Sequence, residues 1–281
     1  MGQRIGLSFE TKMSLQTWNL FASLLHASFA IYVLTKREKT VTQYKLTFET
    51  STSPASDLDY AVQTEASGSV GLRKLTIAFF GLTSLFHLLY ASDFFGKGWY
   101  TSAVSGYGWN PYRWFEYSLT ASIMIYVIAM VAGAKEQNNT IAATLITPGL
   151  MLQGLTIERE LHQNRLAAGK KLDVDPILIW YNFLPAWLFF GLKWYIIWSA
   201  YFQLSSDLKA DGKELDSRIQ RLVWTQFVGF SLFGVLQTLQ VSGWSNNTRF
   251  KTYRYEVYEK AYIALSFVVK AALGVSVASL L

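Results

Sequence analysis

The chain contains no cysteine, which excludes disulfides and thiolate metal sites. Charge is scarce as well: 16 % of its 281 residues are Asp, Glu, Lys or Arg, against about 25 % in soluble domains. The net charge of +6 is spread over several loops. No basic run is dense enough for nucleic acid, and lipid headgroups account for the excess more economically. The N-terminus lacks the charged, apolar, small-residue order of a cleavable leader. Met1 to Gly6 also lacks the Ser or Thr that myristoylation prefers at position six. The first apolar segment therefore reads as a retained helix. What the chain has in abundance is apolar surface: 51 % of residues are hydrophobic, with Trp 10, Tyr 16 and Phe 19, a composition suited to aromatic belts at a bilayer.

Seven apolar segments can be marked, at about 13–35, 73–95, 111–133, 139–161, 176–204, 218–242 and 252–280. Each supplies the ~20 residues that a spanning helix needs. Backbone amides in lipid must bond within their own segment, so helices are the spanning form. The expectation is an all-α membrane protein: one domain over 1–281, built as a seven-helix bundle. Between the first two segments lies a polar stretch, 36–72, in which Thr40-Val-Thr-Gln-Tyr-Lys-Leu-Thr-Phe-Glu-Thr alternates like a strand. A small extramembrane β-hairpin is expected there, with Ser51-Thr-Ser-Pro-Ala-Ser as a turn or loop. Seven spans put the termini on opposite sides. Lys and Arg nearly balance between the faces. Discounting the long first loop makes the N-terminal side cytoplasmic and the C-terminal side extracellular. Sequons at Asn138 and Asn246 fall on opposite faces, so at most one is usable.

Few ionisable groups fall inside the spans. Lys270 sits in the middle of the last one, in Ser266-Phe-Val-Val-Lys270-Ala-Ala-Leu. A lysine at the centre of a spanning helix costs roughly 2.5–3.5 kcal/mol on insertion scales, so something must offset it. A carboxylate partner or chemical conversion of the amine would do so. Desolvation favours a neutral amine, and a neutral amine attacks aldehydes. Glu116, in Asn110-Pro-Tyr-Arg-Trp114-Phe-Glu116-Tyr117-Ser118, reads as the only carboxylate deep in any span and is the natural partner. The plainer alternative is a structural ion pair. His26 and His87 lie in the first and second segments. Ser23 stands one turn before His26, and Thr83 and Ser84 one turn before His87, so a small polar pocket with water is expected. The histidine and glutamate spacing matches no metal-ligand motif. His162, among Glu158, Arg159, Glu160 and Arg165, reads as interfacial. Lys193 in the fifth segment can face the bundle, snorkel or line a polar path.

These motifs resemble the heliorhodopsins, a divergent branch of retinal-binding rhodopsins. The resemblance covers nearly the whole chain. It rests most on the Asn110-to-Ser118 stretch and on Ser266-Phe-Val-Val-Lys270, where pumping rhodopsins usually carry an aspartate at the position of Ser266. The resemblance implies a rhodopsin-like bundle in which all-trans retinal is bound to Lys270 as a protonated Schiff base, with Glu116 as counterion and Ser266 beside it. Trp114, Tyr117, Thr120, Met124, Met151, Gln153, Gly154, Phe230, Gln237 and Asn110 are the accompanying cofactor-site candidates. His26 and His87 would handle the proton. The resemblance also implies a cytoplasmic N-terminus and a homodimer formed through a sheet-bearing first loop. Phe29 departs from the pattern, standing where some members carry glutamine. Lys193 is no signature of the family.

Three functional readings follow. The first is a light sensor, not an enzyme, that signals by conformational change to a partner the sequence does not name. The second is a light-gated proton channel, motivated by Lys193 and by charged clusters around Glu158, Asp207 and Glu214. The third is a seven-helix receptor or enzyme without a chromophore, which the lack of any nucleophile or metal motif disfavours.

Overall fold

The computed structural model describes residues 14–49, 61–94, 96, 98–102, 104, 109–167, 176–241 and 255–281. The Ser51–Ser56 turn, the Asn246 sequon and the side chain of His162 lie outside the described residues. Chain order is α1 (Leu15–Leu34), β1 (Thr40–Glu49), β2 (Ala61–Gly71), α2 (Leu72–Ser92), a single helical turn α3 (Trp99–Thr101), α4 (Pro111–Val131), α5 (Gln137–Ala167), α6 (Pro176–Ala210), α7 (Ser217–Val241) and α8 (Tyr255–Leu280). All but α3 among these helices are long and apolar enough to cross a bilayer. The fold is therefore a seven-helix integral membrane bundle carrying one two-stranded hairpin.

The bundle is apolar on both sides of its wall. Outward-facing Leu20, Phe21, Leu24 and Ile31 of α1 and Leu184, Leu188 and Tyr195 of α6 are exposed, as lipid contact requires. With lipid outside, apolar burial drives little helix association, and close packing at small residues takes over. Three glycines show this. A Cβ at Gly229 would sit 2.8 Å from Val269, one at Gly274 2.5 Å from the Phe80 ring, and one at Gly154 would run into the Trp114 ring. α4 is the central helix, with Ile125, Val127, Ile128 and Ala129 all fully enclosed.

The caps follow local chemistry. Ser14 accepts from Thr17 N at 3.1 Å, and Asn110 Oδ1 accepts from Tyr112 N and Arg113 N at 3.1 and 3.2 Å, ahead of Pro111. α2 ends at Asp93 in a left-handed conformation, φ 53°. The Asp93 carboxylate then accepts from the amides of Gly98 and Tyr100 and turns the chain into α3.

The alternating stretch after Thr40 is a strand. It pairs antiparallel with β2, and the register steps between Gln43, opposite Gly68, and Tyr44, opposite Ala66. Tyr44 N donates to Lys135 O at 2.9 Å, so the hairpin rests on the α4–α5 turn. Lys39 Nζ reaches Leu280 O at 3.4 Å. One face of the bundle thus carries the hairpin, the α4–α5 turn and the end of α8. The opposite face carries α3 and the starts of α4 and α8.

Phe80 is fully buried and has nowhere to retreat. Gly274→Ala should therefore lower stability by about 1–3 kcal/mol. Gly81→Ala, which meets nothing within 4 Å, should leave it unchanged or slightly raised. Thermal unfolding in detergent micelles measures both.

Candidate functional site

α8 carries Lys270 at its midpoint, and α4 carries Glu116 more than one turn inside. Both are buried, at 3 % and 1 % exposure. Lys270 Nζ donates to Glu116 Oε1 at 3.0 Å and to Thr83 Oγ1 on α2 at 2.7 Å. It also lies 5.3 Å from the centre of the Tyr117 ring. Three helices therefore converge on one amine. Thr83 stood out in the sequence only as a neighbour of His87, and here it is a direct partner of Lys270.

A cavity with mostly apolar and aromatic walls opens from this amine, the character usual for small-molecule sites. Lys270, Ser266, Trp114, Tyr117, Thr120, Met124, Met151, Phe230 and Gln237 all line it. Glu116 stands behind Lys270, not on the wall. Gly154 backs onto the Trp114 ring, and its carbonyl accepts from Gln237 Nε2 at 3.0 Å. Gln153 is half-buried and Asn110 is buried, and neither lines the cavity. Asn110 Nδ2 instead donates to Glu259 Oε1 at 2.8 Å. The wall that sequence reasoning missed comes mainly from α6, through Phe183, Ala186, Trp187 and Phe190. Their i, i+3, i+4, i+7 spacing marks one helix face and was the signal available.

The reading of Glu116 as the only deep carboxylate is corrected. Glu158 and Glu259 are buried to 1 % and 2 %, around an Arg113 exposed by only 3 %. Arg113 bridges them, with Nη2 to Glu158 and Nη1 to Glu259. Glu158 also accepts from Trp114 Nε1 (2.9 Å), Gln240 Nε2 (2.9 Å) and Tyr255 OH (3.0 Å). Glu259 also accepts from Tyr100 OH at 3.0 Å. In the sequence Glu158 stands beside Arg159 and Glu160, and Glu259 beside Lys260, towards the ends of their apolar segments, where charges usually face water. Tyr100 of α3, itself fully buried, packs against this group through Glu259.

His26 and His87 stack at 5.6 Å with rings 7° apart. His87 Nδ1 bonds Asn19 Oδ1 at 2.7 Å, and Ser23 bonds Ser84 O at 2.9 Å. Lys193 faces inward, fully enclosed. Its Nζ has no hydrogen-bond partner among the described residues and lies over the rings of Phe190 and Phe230 at 5.5 and 5.1 Å.

The residues fit a long apolar aldehyde. The cavity has aromatic walls and one amine at its end, and two wall oxygens, Ser266 Oγ and Thr120 Oγ1, are buried without a partner among the described residues. Fold and site define a multi-pass membrane protein with a buried amine facing an aromatic-lined, apolar pocket. The heliorhodopsin family model matches residues 15–279, and the chain belongs to that family. It is a retinal protein and a light-sensing rhodopsin of the photoreceptor type. No curated protein matches the chain at a significant level.

Removing one member of a buried ion group strands the others. Arg113→Leu should destabilise the protein by about 3–5 kcal/mol, whereas Lys193→Met, which replaces an unpaired amine, should be neutral or stabilising. Unfolding of the two variants in micelles should move in these different directions.

Proposed function

We propose that this heliorhodopsin is a light sensor in which Lys270 Nζ holds all-trans retinal as a protonated Schiff base, with Glu116 as its counterion. The observation that carries this reading is the 3.0 Å contact between a buried lysine and a buried glutamate at the end of an apolar cavity. When bound, retinal supplies visible absorption and a light-driven double-bond isomerisation next to that nitrogen.

The chain's own groups do the rest. Glu116 neutralises the charge on the nitrogen, and Thr83 Oγ1 fixes the nitrogen's direction. Trp114, Tyr117, Phe190 and Phe230 exclude water, which strengthens the interaction between the two charges. With retinal bound, the histidine side would be the place for a proton released from that nitrogen, since His87 stands one turn after Thr83 on α2. Toward the hairpin face Phe79, Phe80, Ile125, Ile128 and Leu273 are fully buried, and the buried polar residues there, such as Thr76, Thr140 and Gln226, carry no charge. The buried carboxylates among the described residues, Glu116, Glu158 and Glu259, all lie at the amine or on the opposite side. That asymmetry favours internal proton transfer and a rearranged bundle over pumping. We place the N-terminus in the cytoplasm, the hairpin and C-terminus outside, and all 281 residues in one domain. The hairpin is the surface through which two copies would pair.

A second reading, a light-gated proton channel, draws support from the buried Arg113, Glu158 and Glu259 group and from Lys193, since ionisable groups at membrane depth mark ion routes. Whole-cell recording under illumination separates the two. The sensor gives no current, and a current that reverses with the proton gradient favours the channel.

Lys270→Ala should abolish the hydroxylamine-sensitive visible band of retinal-reconstituted protein, and a surviving band would contradict the assignment. Glu116→Gln should shift that band and its pH dependence. An unchanged spectrum and titration would remove Glu116 from the counterion role.

A further inference from the structure

The two stacked histidines are not equivalent, and the hydrogen bonds around them say which one is prepared to take a proton. Asn19 decides it. Its Nδ2 donates to Leu15 O, one turn back in α1, at 2.9 Å and to Tyr100 OH at 2.9 Å. A backbone carbonyl only accepts, so the amide cannot flip, and Oδ1 must face His87 Nδ1 at 2.7 Å. His87 Nδ1 therefore carries the hydrogen. In the neutral ring Nε2 is then a bare acceptor, and it is buried without a partner among the described residues. Thr83, one turn earlier on the same helix, holds Lys270 Nζ at 2.7 Å.

The same logic runs outward. Tyr100 OH accepts from Asn19, which leaves its own hydrogen for Glu259 Oε1 at 3.0 Å. Glu259 also accepts from Asn110 Nδ2, whose orientation is fixed because Asn110 Oδ1 caps α4, and from Arg113. Every partner of Glu259 named here donates, which is the environment of an ionised carboxylate. Arg113 is shared with Glu158, so the group of three carries a formal charge of −1. From that anion through Tyr100 and Asn19 to His87, each hydrogen bond points the same way, and aligned bonds polarise one another.

His26 has nothing comparable. Neither of its ring nitrogens has a partner among the described residues, and its neighbours are the rings of Phe80, Phe267 and His87 at 5.5 to 5.8 Å. A proton placed there meets no acceptor.

We infer that His87, not His26, is the proton-accepting histidine, and that Asn19, Tyr100 and Glu259 are positioning residues that set its tautomer and compensate its charge. The inference rests on the light-sensor reading for the source of the proton, but the tautomer does not. The chain has three histidines, so ring-15N NMR is tractable, with His26→Phe and His162→Gln to assign the signals. Retinal-free protein in the dark should show His87 as the Nδ1–H tautomer. Tyr100→Phe, which keeps the ring but loses the hydroxyl, should weaken that preference, and Asn19→Leu should abolish it. Under illumination the retinal-loaded protein should gain an imidazolium signal at His87, lost in Glu259→Gln and retained in His26→Phe. An Nε2–H tautomer in the unmodified protein, an imidazolium at His26, or a light signal indifferent to Tyr100→Phe and Glu259→Gln would each overturn the inference. A protein that forms no pigment would remove the light-sensor reading and the proton assignment with it, while the tautomer would still stand or fall by the retinal-free spectrum.

Discussion

The structure depends on one constraint: a positive charge in the middle of a membrane needs a negative one at contact distance. Lys270 and Glu116 meet that need across α8 and α4, with Thr83 of α2 completing the amine's hydrogen bonds. Desolvation makes such a pair expensive to separate, so the three helices are held in one relative position. The cavity follows from that position. Its floor is the amine, and its walls are the aromatic faces of α4, α6 and α7 that are left facing inward once α4 is committed to Glu116.

A second charge group stands nearer the end of the bundle. Arg113 lies three residues before Glu116 on α4, and it gathers Glu158 from α5 and Glu259 from α8. The two groups divide the core. On the α3 side it is polar, with Asn19, Tyr100, Asn110 and Gln240 all buried and bonded. On the hairpin side Phe79, Phe80, Ile125, Ile128 and Leu273 are fully buried, and the polar residues buried there, such as Thr76, Thr140 and Gln226, are uncharged. Buried carboxylates confined, among the described residues, to the amine and the α3 side suit a proton that moves within the protein better than one that crosses it. Lys193 is the exception to the pairing rule, since it stands against Phe190 and Phe230 with no bonded neighbour among the described residues.

The sequence made the spans legible because length and hydropathy are one-dimensional properties, and the strand after Thr40 legible because side chains alternate faces at every residue. Lys270 and Glu116 stood out for the same reason, as charges inside apolar runs. Arg113, Glu158 and Glu259 did not. Charges near a helix end usually face water, and here they are buried, with Tyr100 packed against Glu259. Asn110 reads as a pocket residue beside Trp114 and instead caps α4 and binds Glu259. The α6 wall was legible in principle from its spacing. Lys193 was not, because an apolar run states that a lysine must be placed somewhere but not on which face.

The central claim is that one amine, Lys270 Nζ, carries the chromophore. Borohydride reduction of the retinal-loaded protein fixes the linkage permanently, and peptide mass spectrometry then locates it. The account predicts the retinyl mass on the α8 peptide containing Lys270 and on no other. Retinyl on the Lys193 peptide, or on neither, would contradict it.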